Sequence, residues 1–117
     1  MRNFKELKIW QKGLNVAIKS FKLTSNFPKE EKYGINSQIT RAGVSIPSNI
    51  AEGSSRSSEK DYSRFVEIAL GSSFELETQL LIASALNFGD TVLRNEILND
   101  LDEEQKMLIS FINKLNK

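Results

Sequence analysis

Apolar residues recur along this chain at spacings of three and four, and four such runs are separated by three short polar or glycine-containing breaks: Phe27-Pro28, Gly53-Ser54-Ser55 and Gly89-Asp90. Leu7, Trp10, Leu14, Ala17 and Phe21 form one stripe and predict a first helix from about Lys5 to Ser25. A second helix is expected to open at Pro28, whose missing N–H is harmless in a first turn, with Glu30 and Glu31 favouring the helix dipole. It carries Ile35, Ile39, Ala42, Ile46 and Ile50 inward. The third run starts at a Ser58-x-x-Asp61 capping box and proceeds through Phe65, Ala69, Ser72, Leu76, Leu80 and Ala83 to Phe88, with Gly89 as its stop. Asp90 is placed to cap a fourth helix with Leu93, Ile97, Leu101, Leu108, Phe111 and Leu115 on its stripe.

No segment alternates with period two over a strand's length, and the connections are short. The expected fold class is therefore all-α: a single domain over 1–117, an antiparallel up-down-up-down four-helix bundle. Pro47 falls inside the second stripe. Its ring removes the hydrogen bond to the Gly43 carbonyl, and because Ile46 and Ile50 stay in phase, a continuous helix kinked at Pro47 is favoured over one that stops and restarts.

The first helix carries a second apolar set, Ile9, Val16 and Leu23, spaced by sevens. With the Leu7/Trp10/Leu14/Phe21 face in the core these three would stay wet in a monomer, so they are expected to form an oligomer interface. Beside them Lys5, Lys8, Lys12 and Lys19 fall within one narrow sector. Such a strip can bind nucleic-acid phosphates; on spacing alone, a solvated face or pairing with the acidic fourth helix of a neighbouring subunit is the simpler account.

Composition removes most chemistry. The 117 residues include neither Cys nor His, which excludes disulfides, thiolate metal sites, Ser-His-Asp triads and the Glu-x-x-His pairs of bundle metal centres. No catalytic residue, metal site or cofactor is expected. The formal charge is +1, yet residues 1–50 hold nine Lys or Arg against three Glu, while 51–117 hold seven against twelve acids. No apolar run is long enough to cross a bilayer, and Met1–Glu6 lacks the apolar core of a signal peptide, so a cytoplasmic protein is expected, without membrane contact. The Gly53–Ser58 turn gathers hydroxyls and Arg56 but lacks the Gly-Lys-Ser/Thr ending of a phosphate loop, and a capped turn is the simpler reading. Glu67, Glu75 and Glu77 do not share one face as a facing dyad and have no partner base.

Several segments together carry a resemblance: Phe4-x-x-Leu7-x-Ile9-Trp10-Gln11-Lys12, Leu23-Thr24-x-x-Phe27-Pro28, the long run from Gln38 to Gly53 with Ser45-Ile46-Pro47-Ser48-Asn49-Ile50-Ala51-Glu52-Gly53, and Phe65-x-x-Ile68-Ala69-x-Gly71-Ser72-x-x-Glu75-Leu76-x-Thr78-Gln79-Leu80. The chain resembles the four-helix-bundle proteins encoded in intervening sequences of bacterial 23S rRNA genes. The resemblance implies a ring-forming bundle, typically a homopentamer, without known catalysis. Related accessory proteins of diversity-generating retroelements bind nucleic acid and a reverse transcriptase, and by that analogy this chain's partners would be structured RNA or DNA and a reverse transcriptase. Where many members have two adjacent arginines this chain has Thr40-Arg41, so one cation of the pattern is missing. The residues expected to contact phosphate are Lys5, Lys8, Lys12, Lys19 and Arg41, with a protein-interaction scaffold as the alternative.

Overall fold

The computed structural model describes residues 3–117; Met1 and Arg2, part of the N-terminal segment read above, lie outside the described residues. Four helices follow one another: α1 (Lys8–Thr24), α2 (Ile35–Ser54), α3 (Glu59–Ala85) and α4 (Thr91–Leu115), with short 3-10 turns at Phe4–Glu6 and Lys29–Glu31. They pack as a ring, α1 against α2 and α4, α3 against α2 and α4, and the α2–α3 contact is the most extensive. The result is a rod of 44 × 23 × 20 Å.

Cross-helix contacts fix the register. Lys12 meets Asp100 and Glu103 while Lys19 meets Glu96 and Asp100, so numbers rise on α1 as they fall on α4. Ser45 meets Ser72, whereas Gly53 lies against Tyr62 and Phe65, the same opposed order between α2 and α3.

Local chemistry sets the boundaries. The Ser58 hydroxyl accepts the Asp61 N–H at 3.1 Å and opens α3; Asp90 accepts the Leu93 N–H at 2.8 Å and opens α4. The third helix stops earlier than expected. Asn87 takes the left-handed conformation (φ 58°), and the Phe88 N–H reaches back to the Ala83 carbonyl at 2.9 Å. Gly89 (φ 81°) is still required, because a Cβ there would lie 2.6 Å from Phe27 Cε1, at the point where Phe27 and Phe88 close that end of the bundle. Pro28 opens only the Lys29–Glu31 turn; α2 begins after Gly34, whose backbone lies outside the helical region. Through Pro47 the helix is unbroken.

The core agrees with the expected stripes on α2, α3 and α4. Ile39, Ala42, Ile46, Ile50, Ala69, Leu76, Leu80, Ala83, Ile97, Leu101 and Leu108 are buried together, and Ile35, Leu93, Phe111 and Leu115 pack against them partly buried. On α1 the expected assignment holds for Ala17, which is buried, and for Leu7 and Trp10, which pack against the core partly buried, but not for the rest. Ile9, Val16 and Leu23, expected at an oligomer interface, lie in the core of the protomer, Val16 and Leu23 with no exposed surface at all. Leu14, Ile18 and Phe21 are the exposed ones, Phe21 by 55 %. The helix is turned by roughly 90° on a wheel of 100° per residue. The reason is its close approach to α2: the inward face is Gly13, Val16, Ala17, Ser20 and Leu23, and a Cβ on Gly13 would stand 3.1 Å from Ile46 Cγ2 and 3.4 Å from the Pro47 nitrogen. Small residues allow that approach, and Ser20 donates to the Val16 carbonyl at 2.8 Å, so its hydroxyl is satisfied inside the core.

Candidate functional site

The lysine strip is the first feature to place. Lys12 and Lys19 point towards α4 of their own chain. Lys12 Nζ lies 2.7 Å from Glu103 and 3.7 Å from Asp100; Lys19 Nζ lies 2.7 Å from Asp100 and 2.9 Å from Glu96. The hydrogen bond to Glu103 outweighs burial and raises the Lys12 pKa. For Lys19 burial opposes the charge, but bonds to Asp100 and Glu96 more than offset it and the pKa is again raised. These two ammonium groups already have carboxylate partners within the protomer, so the strip is divided.

The other proposed contacts carry no ion pair among the described residues. The Lys5 carbonyl accepts from Gln11 Nε2 at 2.9 Å, and its ammonium stands 6.0 Å from the Phe4 ring centroid. Lys8 lies with Lys114 and Ser110 around a cavity of about 230 Å³ where the start of α1 meets the end of α4. Arg41 is remote from both, exposed on α2.

Arg41 borders a polar groove of about 550 Å³ between α2 and α3, lined by Gln38, Arg41, Ala42, Ser45, Glu75 and Gln79. Its floor is organised: Ser45 Oγ lies 2.8 Å from Ser72 Oγ and accepts from Asn49 Nδ2 at 2.8 Å. Gln79 is nearly buried, and its Oε1 has no hydrogen-bond partner. Glu75, weighed above as half of an acid/base pair, thus faces a groove. Glu77 instead accepts from Gln105 Nε2 at 2.8 Å and belongs to the α3–α4 seam.

The Gly53–Ser58 turn is a helix connection. Arg56 Nη2 lies 2.8 Å from Glu52 and its guanidinium stacks 4.5 Å from the Phe65 centroid; Ser54 and Ser55 donate to Ala51 and Glu52 carbonyls.

Two buried ionisable groups escaped the sequence reading. Arg94 is buried beneath the α3–α4 turn, where it donates to the Phe88 carbonyl at 2.7 Å. Glu104 has no exposed surface, and neither of its carboxylate oxygens has a partner. Burial pushes its pKa up to about 8, and the nearby Lys12 charge only partly opposes this. Its Oε2 stands 3.1 Å from where a Gly13 Cβ would be. Counting phase from Leu101 and Leu108 places Glu104 on the inward face, which is the one signal the sequence offered.

Among the described residues no group of acidic side chains is disposed to hold a metal ion, and no helix is long and apolar enough to cross a membrane.

Comparison with known proteins places this architecture. No curated protein matches the chain. A crystal structure of a protein of unknown function from the S23 ribosomal protein family of Bacteroides thetaiotaomicron is similar to it, with a TM-score of 0.79 and 29% identity over 89% of this chain and 97% of that one. The model of the 23S rRNA-intervening sequence protein family matches residues 5–110, which include all of α1, α2 and α3 and most of α4. The chain belongs to the 23S rRNA-intervening sequence protein family.

Proposed function

We propose that the protein is a non-catalytic, self-associating helical bundle whose assembled form presents cations to nucleic-acid phosphates. The observation that carries this reading is the apolar face left outside by the rotation of α1. Leu14, Ile18 and Phe21 are exposed beside Val44 of α2, and Trp10, Leu14, Val44 and Pro47 border a cavity of about 250 Å³ between the two helices. The occupant is a second copy of the chain. It offers apolar side chains of its own on the outside of α3, where Phe74, Leu81 and Ile82 are each about half exposed. A contiguous apolar face on a bundle this small favours burial against a partner over solvation.

The nucleic-acid part rests on a narrower set than the original strip. Lys12 and Lys19 are occupied by their own α4. Of the residues expected to contact phosphate, Lys5, Lys8 and Arg41 remain open, and Lys114, brought beside Lys8 from the opposite end of the chain, joins them. Self-association repeats them, and repetition converts weak contacts into avidity.

The test is light scattering alongside RNA-binding anisotropy on the parent chain and on the Leu14→Gln/Phe21→Gln double variant. The parent is expected to exceed one subunit at micromolar concentration; the variant is expected to be a folded monomer that binds RNA at least about tenfold more weakly and with a shallower salt dependence. A monomeric parent sinks the assembly reading, and RNA binding that is absent at low salt sinks the phosphate one.

A further inference from the structure

The α1–α4 contact is the least extensive of the four helix seams, and it closes over Glu104. That side chain has no exposed surface, and neither of its carboxylate oxygens has a hydrogen-bond partner. The room for it comes from the glycine opposite: the point where a Gly13 Cβ would stand is 3.1 Å from Glu104 Oε2, 3.1 Å from Ile46 Cγ2 and 3.4 Å from the Pro47 nitrogen. On the α2 side none of the buried residues ionises. On the α3 side Glu77 accepts from Gln105 Nε2 at 2.8 Å, and Tyr62 packs on Phe111, about two turns further along α4. At the rim, Lys12 and Lys19 of α1 pair with Glu96, Asp100 and Glu103 of α4. Lys12 is the cation whose charge acts on Glu104, and its ammonium is turned to Glu103 at 2.7 Å. The neutral acid tolerates such a site far better than a carboxylate sealed from water without a donor.

We infer that Glu104 is a proton-operated latch on α1, whose ionisation rolls that helix away from α4 and displaces the apolar face it carries. Relief for the carboxylate requires water or the Lys12 ammonium to reach it, and a closed seam admits neither. The α4 side is the one that yields, because it is the least extensive and its rim is held by side chains of which Glu96 and Glu103 are half exposed or more. The α2 side holds, since Gly13 and Gly43 bring the two helices into close contact there. Parting from α4 while held on α2 is a roll of α1, and Leu14, Ile18 and Phe21 ride on that helix. The consequence for self-association rests on the reading proposed above; the roll itself does not.

The single tryptophan reports the roll directly. Trp10 sits on α1, packs against the core and borders the α1–α2 cavity, so its emission responds with or without a partner copy. The experiment follows Trp10 emission, far-UV circular dichroism and light scattering of the full chain from about pH 6 to about pH 9.5, below the ordinary range of Tyr and Lys. The parent is expected to show a one-proton transition near pH 8 with unchanged helicity, and its scattering mass should fall across the same range. In Glu104→Gln and Glu104→Met, which cannot ionise at this position, the transition should vanish and the mass should hold. In Lys12→Met the transition should move to higher pH, because a charge that favours the carboxylate is gone. The inference is overturned if Trp10 emission is flat in the parent, if either Glu104 variant keeps the transition, or if helicity is lost with it, which is unfolding and not a roll. A parent that stays multimeric at constant mass while Trp10 responds overturns the link to assembly. A parent that is monomeric at every pH sinks the assembly reading alone, and Trp10 still decides the latch.

Discussion

The two seams that α1 makes with its neighbours are built on opposite principles. Against α2 the helices approach through small residues, with Gly13 set against Ile46 and Pro47, and Gly43 against Ser20 and Ala17; the hydroxyl present is bonded within its own helix. Against α4 the contact is long side chains and charge: Lys12 and Lys19 reach Glu96, Asp100 and Glu103, and behind them Glu104 is buried without a hydrogen bond. The first seam fixes how α1 is rotated, because only one face of the helix is slim enough to fit. The second follows from that rotation, since turning the slim face to α2 swings the lysines onto α4. Gly13 links the two, for the space left by its missing side chain is shared by Ile46 of one seam and Glu104 of the other.

The largest expected effect is therefore at Gly13. Gly13→Val adds a branched side chain where even a Cβ meets Ile46, Pro47 and Glu104 between 3.1 and 3.4 Å, and backbone on the α2 side cannot yield as a flexible side chain can. A loss of about 3 kcal/mol or more is expected in urea unfolding. The same substitution at Gly71, which has nothing within 4 Å, should be nearly neutral or slightly stabilising, because valine is the better helix former of the two. Equal effects at the two positions would break the account of the α1–α2 seam.

Glu104 comes next. Its pKa in the folded protein is about 8 against an ordinary value of 4.5, so the folded state holds the proton more tightly than the unfolded one. With that sign, stability is greatest below pH 4.5 as far as this group is concerned, declines by up to about 1.4 kcal/mol per pH unit as pH rises towards 8, and levels off above. Glu104→Gln, which cannot ionise, should flatten that decline and leave the protein more stable than the parent at pH 8 by about 1–3 kcal/mol. Urea midpoints measured across the window would show it; parallel curves for the two proteins would mean that Glu104 finds a compensating partner.

The contrast between the seams also explains what could be read from sequence. Stripes of large residues on α2, α3 and α4, such as Ile39/Ile46/Ile50 and Ile97/Leu101/Leu108, point to the core because the largest side chains are the buried ones. On α1 size misleads. Both apolar sets are visible in the pattern, but Leu14 and Phe21 outweigh a face that includes Gly13 and Ser20, whose value lies in closeness to α2 and not in its own hydrophobicity. With the phase misread, Ile9, Val16 and Leu23 are assigned to an interface and Lys12 and Lys19 to a strip facing phosphate, where the structure pairs them with α4. The pairing with α4 could be anticipated only as a charge balance, nine cations to three acids against seven to twelve; that the acids belong to the same chain depends on the rotation. Gln79 and Arg41 line one groove from two helices, and no spacing within one segment reports such a groove.

The smallest effect is expected at Lys12, and it tests whether the two parts of the α1–α4 seam act on each other. The ammonium group is mostly covered, but its partner Glu103 is largely exposed, so the ion pair at 2.7 Å contributes under about 1 kcal/mol. Lys12→Met keeps much of the aliphatic stem and removes the charge. Midpoint stability near pH 5 should thus change little. The charge, however, is also what partly opposes the rise in the Glu104 pKa. Without it the carboxyl should hold its proton to higher pH, and the decline in stability should extend above pH 8 before it levels off. Added salt should reproduce part of that extension in the parent, by screening Lys12, and none of it in Lys12→Met. In Lys12→Met/Glu104→Gln the pH dependence should match that of Glu104→Gln alone, because the charge then has no buried carboxyl to act on. If Lys12→Met leaves the window where it is in the parent, the ion pairs and the buried acid are neighbours without coupling, and the seam is two independent features.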